Sequence, residues 1–213
     1  MRQKNRVRPS LIMAGFHYLL RLKPGYAGLR VYDERSEHII IVFQQPIIIN
    51  LACDFLFEEV TEENAAKLTQ EQLDRMYHWI DNGGNLTIDS LTELTVPERM
   101  AILEYLRGRP LFERFALHGR QFLLTHSGLG HFDREKPPEA YEPDDLLWNR
   151  PRLTDRYYDD VMTVFGHTPT WFYGEEHAGR IIVTETWTDI DAGAGYGYPP
   201  VLLRLDDMKQ FTL

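Results

Sequence analysis

Two hydrophobic runs, each followed by a histidine with a glycine close by, constrain the fold of this chain more than any other feature. The first run covers residues 122–124 and leads into Thr125-His126-Ser127-Gly128, and the second covers residues 161–165 and leads into Gly166-His167. A short apolar run bounded by turn residues is typical of a buried strand, and glycine lets a backbone approach a ligand closely. Both imidazoles are therefore predicted at the edge of a sheet, where the functional sites of α/β proteins gather.

The chemistry of these two histidines has two interpretations at this point. Neutral imidazole is the commonest protein ligand for transition metals, which favours a metal site formed by His126 and His167. The alternative is a pair of hydrogen-bonded core or turn histidines, because the chain contains eight histidines and most of them stand in no motif. The segments around the two residues bear on this choice.

Capping patterns and apolar spacing predict two helices in the first half of the chain. Thr69 with Gln72 forms a capping-box pattern, and the helix that follows is predicted to stop at Asn82-Gly83-Gly84. Thr95 with Glu98 repeats the capping pattern and predicts a helix over about 96–107.

From Phe112 onward the pattern changes to strands. Residues 112–117 and 121–125 predict a β-hairpin around His118-Gly119. Further strands are predicted at 161–165, 180–185, 187–191 and 201–205. Helices followed by strands predict a layered α/β or α+β domain.

Length and composition narrow the class of protein. The 213 residues suit one domain with a substantial core, and the net charge of −9 argues against a nucleic-acid polymer as partner. Residues 1–35 contain eight Lys or Arg and two Asp or Glu, so the acidic excess lies in the remainder. No apolar run approaches the roughly 20 residues that cross a bilayer, and no signal-peptide cleavage pattern is present. We therefore expect a cytoplasmic protein without membrane contact.

Four segments in the second half carry a family resemblance. In chain order they are His126-Ser127-Gly128-Leu129, Leu146-Leu147-Trp148-Asn149-Arg150, Gly166-His167-Thr168-Pro169 and Ile190-Asp191-Ala192-Gly193-Ala194. A fifth segment, Trp79-Ile80-Asp81-Asn82-Gly83-Gly84, precedes them. Together they resemble the calcineurin-like metallophosphoesterases, in particular the bacterial branch of phosphoprotein phosphatases and symmetrical dinucleoside tetraphosphatases.

The resemblance implies a fold, a site and a reaction. The fold would be a two-sheet sandwich flanked by helices, with the metals at the strand ends. His126 and His167 would bind a divalent ion (Mn, Fe or Zn), and Arg150 would bind the phosphate. The reaction would be metal-assisted hydrolysis of a phosphoester, in a phosphorylated protein or in a dinucleoside polyphosphate. Asp191 would orient a group on the ligand side.

The family's first-half motifs are missing from this sequence. Gly-Asp-x-His-Gly, Gly-Asp-x-x-Asp-Arg-Gly and Gly-Asn-His-(Glu/Asp) do not occur before residue 54. We therefore divide the chain into an atypical segment, residues 1–53, and a metallophosphoesterase-like part, residues 54–213, which is the C-terminal half of the family domain. No catalytic residue is assigned, and one ion or none is expected to bind.

Two explanations of the missing motifs stay open. A displaced reading frame or start site would make the first fifty residues adventitious, and true divergence would make the chain a pseudophosphatase. Activity is expected to be weak or absent in both cases. The alternative function is accordingly a non-catalytic remnant or binding module.

The incomplete sandwich leads to a prediction about self-association. Loss of one part of a sandwich exposes an apolar sheet face and unpaired strand edges, which favour pairing with another copy. We expect dimers or larger aggregates in light scattering over a range of protein concentrations. A monodisperse monomer at all of them would contradict this expectation.

Overall fold

The computed structural model divides the chain into two compact units, residues 1–42 with 111–213 and residues 43–110. The structure describes residues 11–14, 29–33, 36–40, 56–57, 61–107 and 110–212. The predicted boundary between residues 53 and 54 lies outside the described residues, as does most of the segment before it.

The unit formed by residues 43–110 is helical in its described part. Thr69 caps the first of the two predicted helices as the sequence predicts: its side chain accepts the Gln72 N–H, and the Gln72 side chain accepts the Thr69 N–H. At Thr95, the backbone N–H and the hydroxyl both donate to the Glu98 carboxylate at the start of the second predicted helix. The helices are α1 Glu62–Ala65, α2 Gln70–Trp79, α3 Asn85–Thr92 and α4 Val96–Arg107.

The predicted helix stop at Asn82-Gly83-Gly84 is wrong. A π-helical turn, Ile80–Gly84, joins α2 directly to α3. A Cβ atom on Gly84 would lie 2.6 Å from a ring carbon of Trp79, whose side chain is buried. Gly84 thus serves close packing under the indole ring, with helical backbone angles (φ −63°), and does not end the helix.

The second unit holds all ten strands of the described chain, in three sheets. They are β1 Leu11–Ala14, β2 Leu29–Asp33, β3 Ser36–Ile40, β4 Phe112–Leu117, β5 Arg120–Thr125, β6 Val161–Phe165, β7 Ile182–Val183, β8 Trp187–Asp189, β9 Val201–Arg204 and β10 Lys209–Thr212. The largest sheet has the order β4-β5-β6-β8-β7, with β5, β6 and β8 parallel and the two outer strands antiparallel. A short helix, α5 Pro143–Leu147, lies between β5 and β6 in sequence.

The helices and strands confirm a mixed α/β class and most of the predicted strand positions. The hairpin β4-β5 and the strand β6 match the prediction closely, whereas the segments predicted at 180–185 and 187–191 form only β7 and β8. Thr184 explains the shorter strands, because its hydroxyl oxygen accepts the Trp187 N–H and closes a turn between them. The sequence patterns did not predict β1, β2, β3, β10, α1, α3 or α5.

Both faces of the five-stranded sheet are covered, because Phe122 and Val164 are buried on one face and Leu123 and Phe165 on the other. Phe165 and Trp187 are almost fully buried, and their ring centroids are 5.3 Å apart. Trp187 also donates its indole N–H to the Asp155 carbonyl at 2.9 Å, so the long loop before β6 is tied to the sheet. This packing holds the three parallel strands in register, with their carboxyl ends at one edge.

Among the residues that the structure describes, no helix is long and apolar enough to span a bilayer.

Gly84→Ala tests the close packing in the helical unit. The added methyl group meets the indole ring of Trp79, so we expect a loss of about 1–3 kcal/mol in the free energy of unfolding, measured by urea denaturation. The same change in a Trp79→Leu background should cost less, because the ring is gone and only the contact with the backbone oxygen of residue 79, 2.7 Å from the added Cβ, remains. Equal costs in both backgrounds would contradict the proposed role of the indole.

Candidate metal and phosphate site

The parallel pairing of β5 with β6 brings His126 and His167 to the same sheet edge. Leu124 pairs with Val164, and the Gly166 N–H donates to the His126 carbonyl at 3.0 Å, one step beyond the strands. The two imidazoles then meet, with His126 Nε2 3.0 Å from His167 Nδ1. The sequence prediction that these histidines reach one edge is confirmed.

Residues 126–129 are held by hydrogen bonds to the end of α5 and to the residues that follow it. The Ser127 N–H donates to the Leu146 carbonyl at 3.0 Å, and the Ser127 hydroxyl oxygen accepts the Asn149 N–H at 3.0 Å. Gly128 has φ +89°, and a Cβ there would lie 2.7 Å from the Tyr157 hydroxyl, so only glycine fits. Residues 126–129 and 146–150, which were singled out as separate motifs, are thus hydrogen-bonded neighbours.

The other two motifs join the same edge. The Ile190 N–H donates to the Phe165 carbonyl at 2.8 Å, and the Thr170 N–H donates to the Asp191 carbonyl at 2.8 Å. The Asp191 carboxylate accepts the Gly193 N–H at 3.0 Å, which orders the turn after β8. The four motif segments of the second half therefore form one continuous structure around the two histidines.

His167 occupies a backbone conformation that side-chain-bearing residues rarely adopt. Its φ is +73°, in the left-handed region. Strain of this kind costs on the order of 1 kcal/mol or more, and it persists where surrounding contacts fix the conformation. Here the Gly166 N–H bond on one side and the Thr168 N–H bond to the Gly166 carbonyl on the other hold the peptide in place.

Burial favours the neutral form of both imidazoles. Burial lowers the pKa of His126 well below its ordinary value, and the neighbouring His167 lowers it further. Burial, and secondarily the positive charge of Arg150, lowers the pKa of His167 to about 4. Only the neutral form of an imidazole has a lone pair for a metal, so both side chains are in the state that ligation requires.

The distance between the two nitrogens fits two ligands of one ion. Nitrogen–metal bonds of about 2.0–2.1 Å at tetrahedral or octahedral angles place neighbouring ligand nitrogens about 2.9–3.4 Å apart. The observed 3.0 Å lies in that range. Without an ion, the same distance is a hydrogen bond in which one ring nitrogen donates its proton to the other. Binding of one ion by both nitrogens requires that this proton be on the other nitrogen of its ring.

The rest of a metal site is not provided by the described residues. Within the described part of the chain, no group of three or more His, Cys, Asp or Glu side chains converges on one point. His167 Nε2, the ring nitrogen that faces away from His126, is buried and has no hydrogen-bond partner among the described residues. In metal sites this second nitrogen usually donates to a polar group that orients the ring, and such a group is missing from the described residues here. The pair fits one weakly held ion.

Arg150 lies beside this pair. One guanidinium nitrogen donates to the Thr168 hydroxyl oxygen at 3.4 Å, and the guanidinium carbon lies 5.8 Å from the centroid of the Phe172 ring. The positive charge of Arg150 contributes, after burial, to the lowered pKa of His167. No carboxylate among the described residues forms a salt bridge with Arg150, and its side chain is exposed, so the guanidinium can bind an anion.

The sequence patterns assigned no role to three residues around this site, although two of them stand in the motifs. Thr168 follows His167 directly, and its hydroxyl oxygen accepts a hydrogen bond from Arg150. The rings of Trp148 and His167 are nearly perpendicular, with centroids 5.5 Å apart. Asp189 is fully buried, and one carboxylate oxygen has no hydrogen-bond partner in the described structure. The polar pattern Thr188-Asp189 at the end of a buried strand was the available signal for Asp189.

The chain matches no protein-family model, and it has no significant match among curated protein sequences. The metallophosphoesterase resemblance therefore stays a prediction that the short motifs carry.

The buried carboxylate of Asp189 makes stability depend on pH. Burial raises the pKa of Asp189 well above its ordinary value, and the Asp191 N–H that donates to it only partly opposes the effect. The native chain thus keeps a proton that the unfolded chain loses near its ordinary pKa of about 3.9, so this group lowers stability as the pH rises above that value.

Asp189→Asn should remove this dependence. Asn keeps an oxygen for the Asp191 N–H and has no charge to bury, so we expect a gain of about 1 kcal/mol or more in unfolding free energy at pH 7. The gain should shrink towards zero below pH 4, where the carboxyl is protonated in both states. Urea denaturation of both proteins at the two pH values measures it; a gain independent of pH would contradict this explanation.

Proposed function

We propose that this chain is a metallophosphoesterase-like domain in which His126 and His167 bind one divalent ion and Arg150 binds a phosphoryl group. The observation that carries the proposal is the 3.0 Å approach of two neutral imidazole nitrogens beside an arginine without a salt bridge in the described chain. The motif segments that predicted these residues are also the segments that the backbone hydrogen bonds join. An isolated pair of core histidines would not account for the neighbouring Arg150.

The sandwich fold of that family is part of the proposal. The sheet β1-β9-β10 belongs to the same unit as the five-stranded sheet, and β9 buries Val201 and Leu203. Two hydrogen bonds link the sheets' peripheries: His118 Nε2 with Asp206 Oδ1 at 3.1 Å, and the Ile181 N–H donating to Gln210 Oε1 at 3.3 Å. Both support two layered sheets.

Each residue has a distinct role in the proposed chemistry. A divalent ion (Mn, Fe or Zn), if bound there, would supply positive charge to the phosphoryl oxygens and acidify a bound water. His126 and His167 would hold that ion through Nε2 and Nδ1, and burial favours the uncharged form of both rings. Arg150 offers a planar fork that binds two phosphoryl oxygens, and Thr168 limits the positions that the guanidinium adopts.

The number of ligands sets the expected activity. Two imidazoles give a site of low affinity, since affinity rises steeply with ligand number and second-shell support. We therefore expect slow hydrolysis of phosphoesters at best. The convergence of only two ligands in the described residues favours the second candidate function, a non-catalytic module that binds phosphate groups or one metal ion.

The substrate class follows from the resemblance and belongs to the proposal. Phosphorylated proteins and dinucleoside polyphosphates both present phosphoryl oxygens to Arg150. The exposed position of this arginine suits a substrate that approaches from solvent.

A metal titration with matched glycine variants tests the site. Calorimetric titration of the whole chain with Mn²⁺ or Zn²⁺ should show one site, and His126→Ala or His167→Gly should weaken it at least about tenfold. Glycine at 167 adopts the positive φ without strain, so loss of binding reports the imidazole and not the backbone.

His131→Gly is the matched control, because His131 also has a positive φ (47°) and lies outside the pair. It should bind the ion like the wild type. Hydrolysis of p-nitrophenyl phosphate with added Mn²⁺ is the second measurement, and any turnover should fall in both site variants. Binding without turnover would select the non-catalytic module, and no binding in the wild type would refute the metal site.

A further inference from the structure

Four aromatic side chains lie on the two loops that follow His167 and Asp191. Trp171 and Phe172 belong to the turn Thr170–Tyr173, and Tyr196 and Tyr198 lie in and after the turn Ala194–Tyr196. Phe172 is 61% exposed and Tyr196 is 68% exposed, and the other two rings are more than a third exposed. We call Trp171, Phe172, Tyr196 and Tyr198 the aromatic cluster. Single exposed apolar side chains are common, but a contiguous exposed group marks a binding surface.

Trp171 holds the aromatic cluster together. Its ring centroid lies 5.9 Å from that of Phe172 and 5.5 Å from that of Tyr196, with tilted rings in both pairs. Gly193 makes room for the arrangement, since a Cβ there would lie 2.9 Å from Tyr198 and 3.2 Å from Trp171. Both loops are therefore packed against each other through these rings, although Phe172 and Tyr196 stay largely in solvent.

Arg150 connects the aromatic cluster to the phosphate position. Its guanidinium carbon lies 5.8 Å from the Phe172 ring centroid, within the range of a cation–π contact. A cation without a salt bridge in the described chain thus stands at the border of an exposed aromatic surface. A ligand that satisfies both has an anionic group and a flat ring a short distance apart.

We propose that the aromatic cluster is a base-stacking subsite which, together with Arg150, makes the chain bind nucleoside phosphates in preference to phosphates without a base. This inference rests on the proposed function for the position of the phosphate. A nucleoside phosphate matches the surface because a single ribose separates its anionic group from a planar base. Aromatic side chains stack on every base, so the subsite selects the presence of a base and not its identity.

The occupant is a small molecule and not a peptide or a second copy of the chain. The positive charge next to the aromatic cluster comes from one arginine, Arg150, which also lies at the proposed phosphate position. One such charge suits one compact anion. A peptide surface or a dimer contact has no need of a cation at that border. Both alternatives give different outcomes in the experiment below.

The test compares two ligands that share the phosphate and differ in the base. Adenosine 5′-monophosphate and ribose 5-phosphate are titrated calorimetrically into the whole chain, with and without Mn²⁺. The wild type should bind the nucleotide at least about fivefold more tightly, because stacking acts on the base alone. Tyr196→Leu should reduce that preference and leave the affinity for ribose 5-phosphate unchanged. Phe172→Leu should weaken the nucleotide more than ribose 5-phosphate, because this ring also contacts Arg150.

Two controls separate the ring contacts from other effects. Tyr77→Leu changes a tyrosine that is 60% exposed on α2, in the other unit, and should affect neither ligand. Arg150→Gln should weaken both ligands to a similar extent, because it removes the contact to the phosphate that they share. Circular dichroism of each variant confirms that the fold is retained.

The outcomes distinguish this inference from the proposed function. Equal affinity for the two ligands in the wild type would overturn the base-stacking subsite, even if metal binding and hydrolysis were found. A nucleotide preference that depends on Phe172 and Tyr196 would support it, even if no ion bound to His126 and His167. A dimer in light scattering that dissociates on Phe172→Leu would assign the aromatic cluster to self-association and overturn the subsite.

Discussion

The parallel pairing of β5 with β6 is the constraint on which the site depends. The register places Leu124 opposite Val164, and the next hydrogen bond of the ladder runs from the Gly166 N–H to the His126 carbonyl. A slip of one residue would turn one histidine to the other face of the sheet. Core packing disfavours that slip. Phe165 and Trp187 are buried on the same face of neighbouring strands, and a slip would move one of them to the other face.

Burial and charge then give the edge its chemistry. Two imidazoles at 3.0 Å would repel each other if both were protonated, and low exposure removes the hydration that would stabilise their charges. Arg150 adds a fixed positive charge beside them, which favours the neutral form of His167 still further. The same charge attracts anions. A single arrangement therefore places two uncharged imidazoles next to a positive charge, as the proposed metal and phosphate site would require.

Sequence patterns predicted the parts of this structure that local physics decides. The apolar runs at 122–124 and 161–165 gave the parallel strands, and the caps at Thr69 and Thr95 gave two helix starts. The pattern failed at Gly84, because this glycine allows close packing against the Trp79 ring and does not end a helix. It also missed the contacts of Thr168 and Trp148, since these depend on long-range loop packing that no local period reveals. Metal binding by His126 and His167 stays a prediction.

The loops that leave β6 and β8 are held differently along their length. Their first residues, at His167 and Asp191, are fixed by backbone hydrogen bonds to the sheet, so their positions follow from the strands. Their next residues carry exposed rings that pack mainly against one another. In the proposed function, metal and phosphate would bind at the rigid edge, and ligand selectivity would depend on rings that can change without disturbing the sheet. Substitution of Tyr196 would then alter ligand choice while the histidine pair keeps its geometry.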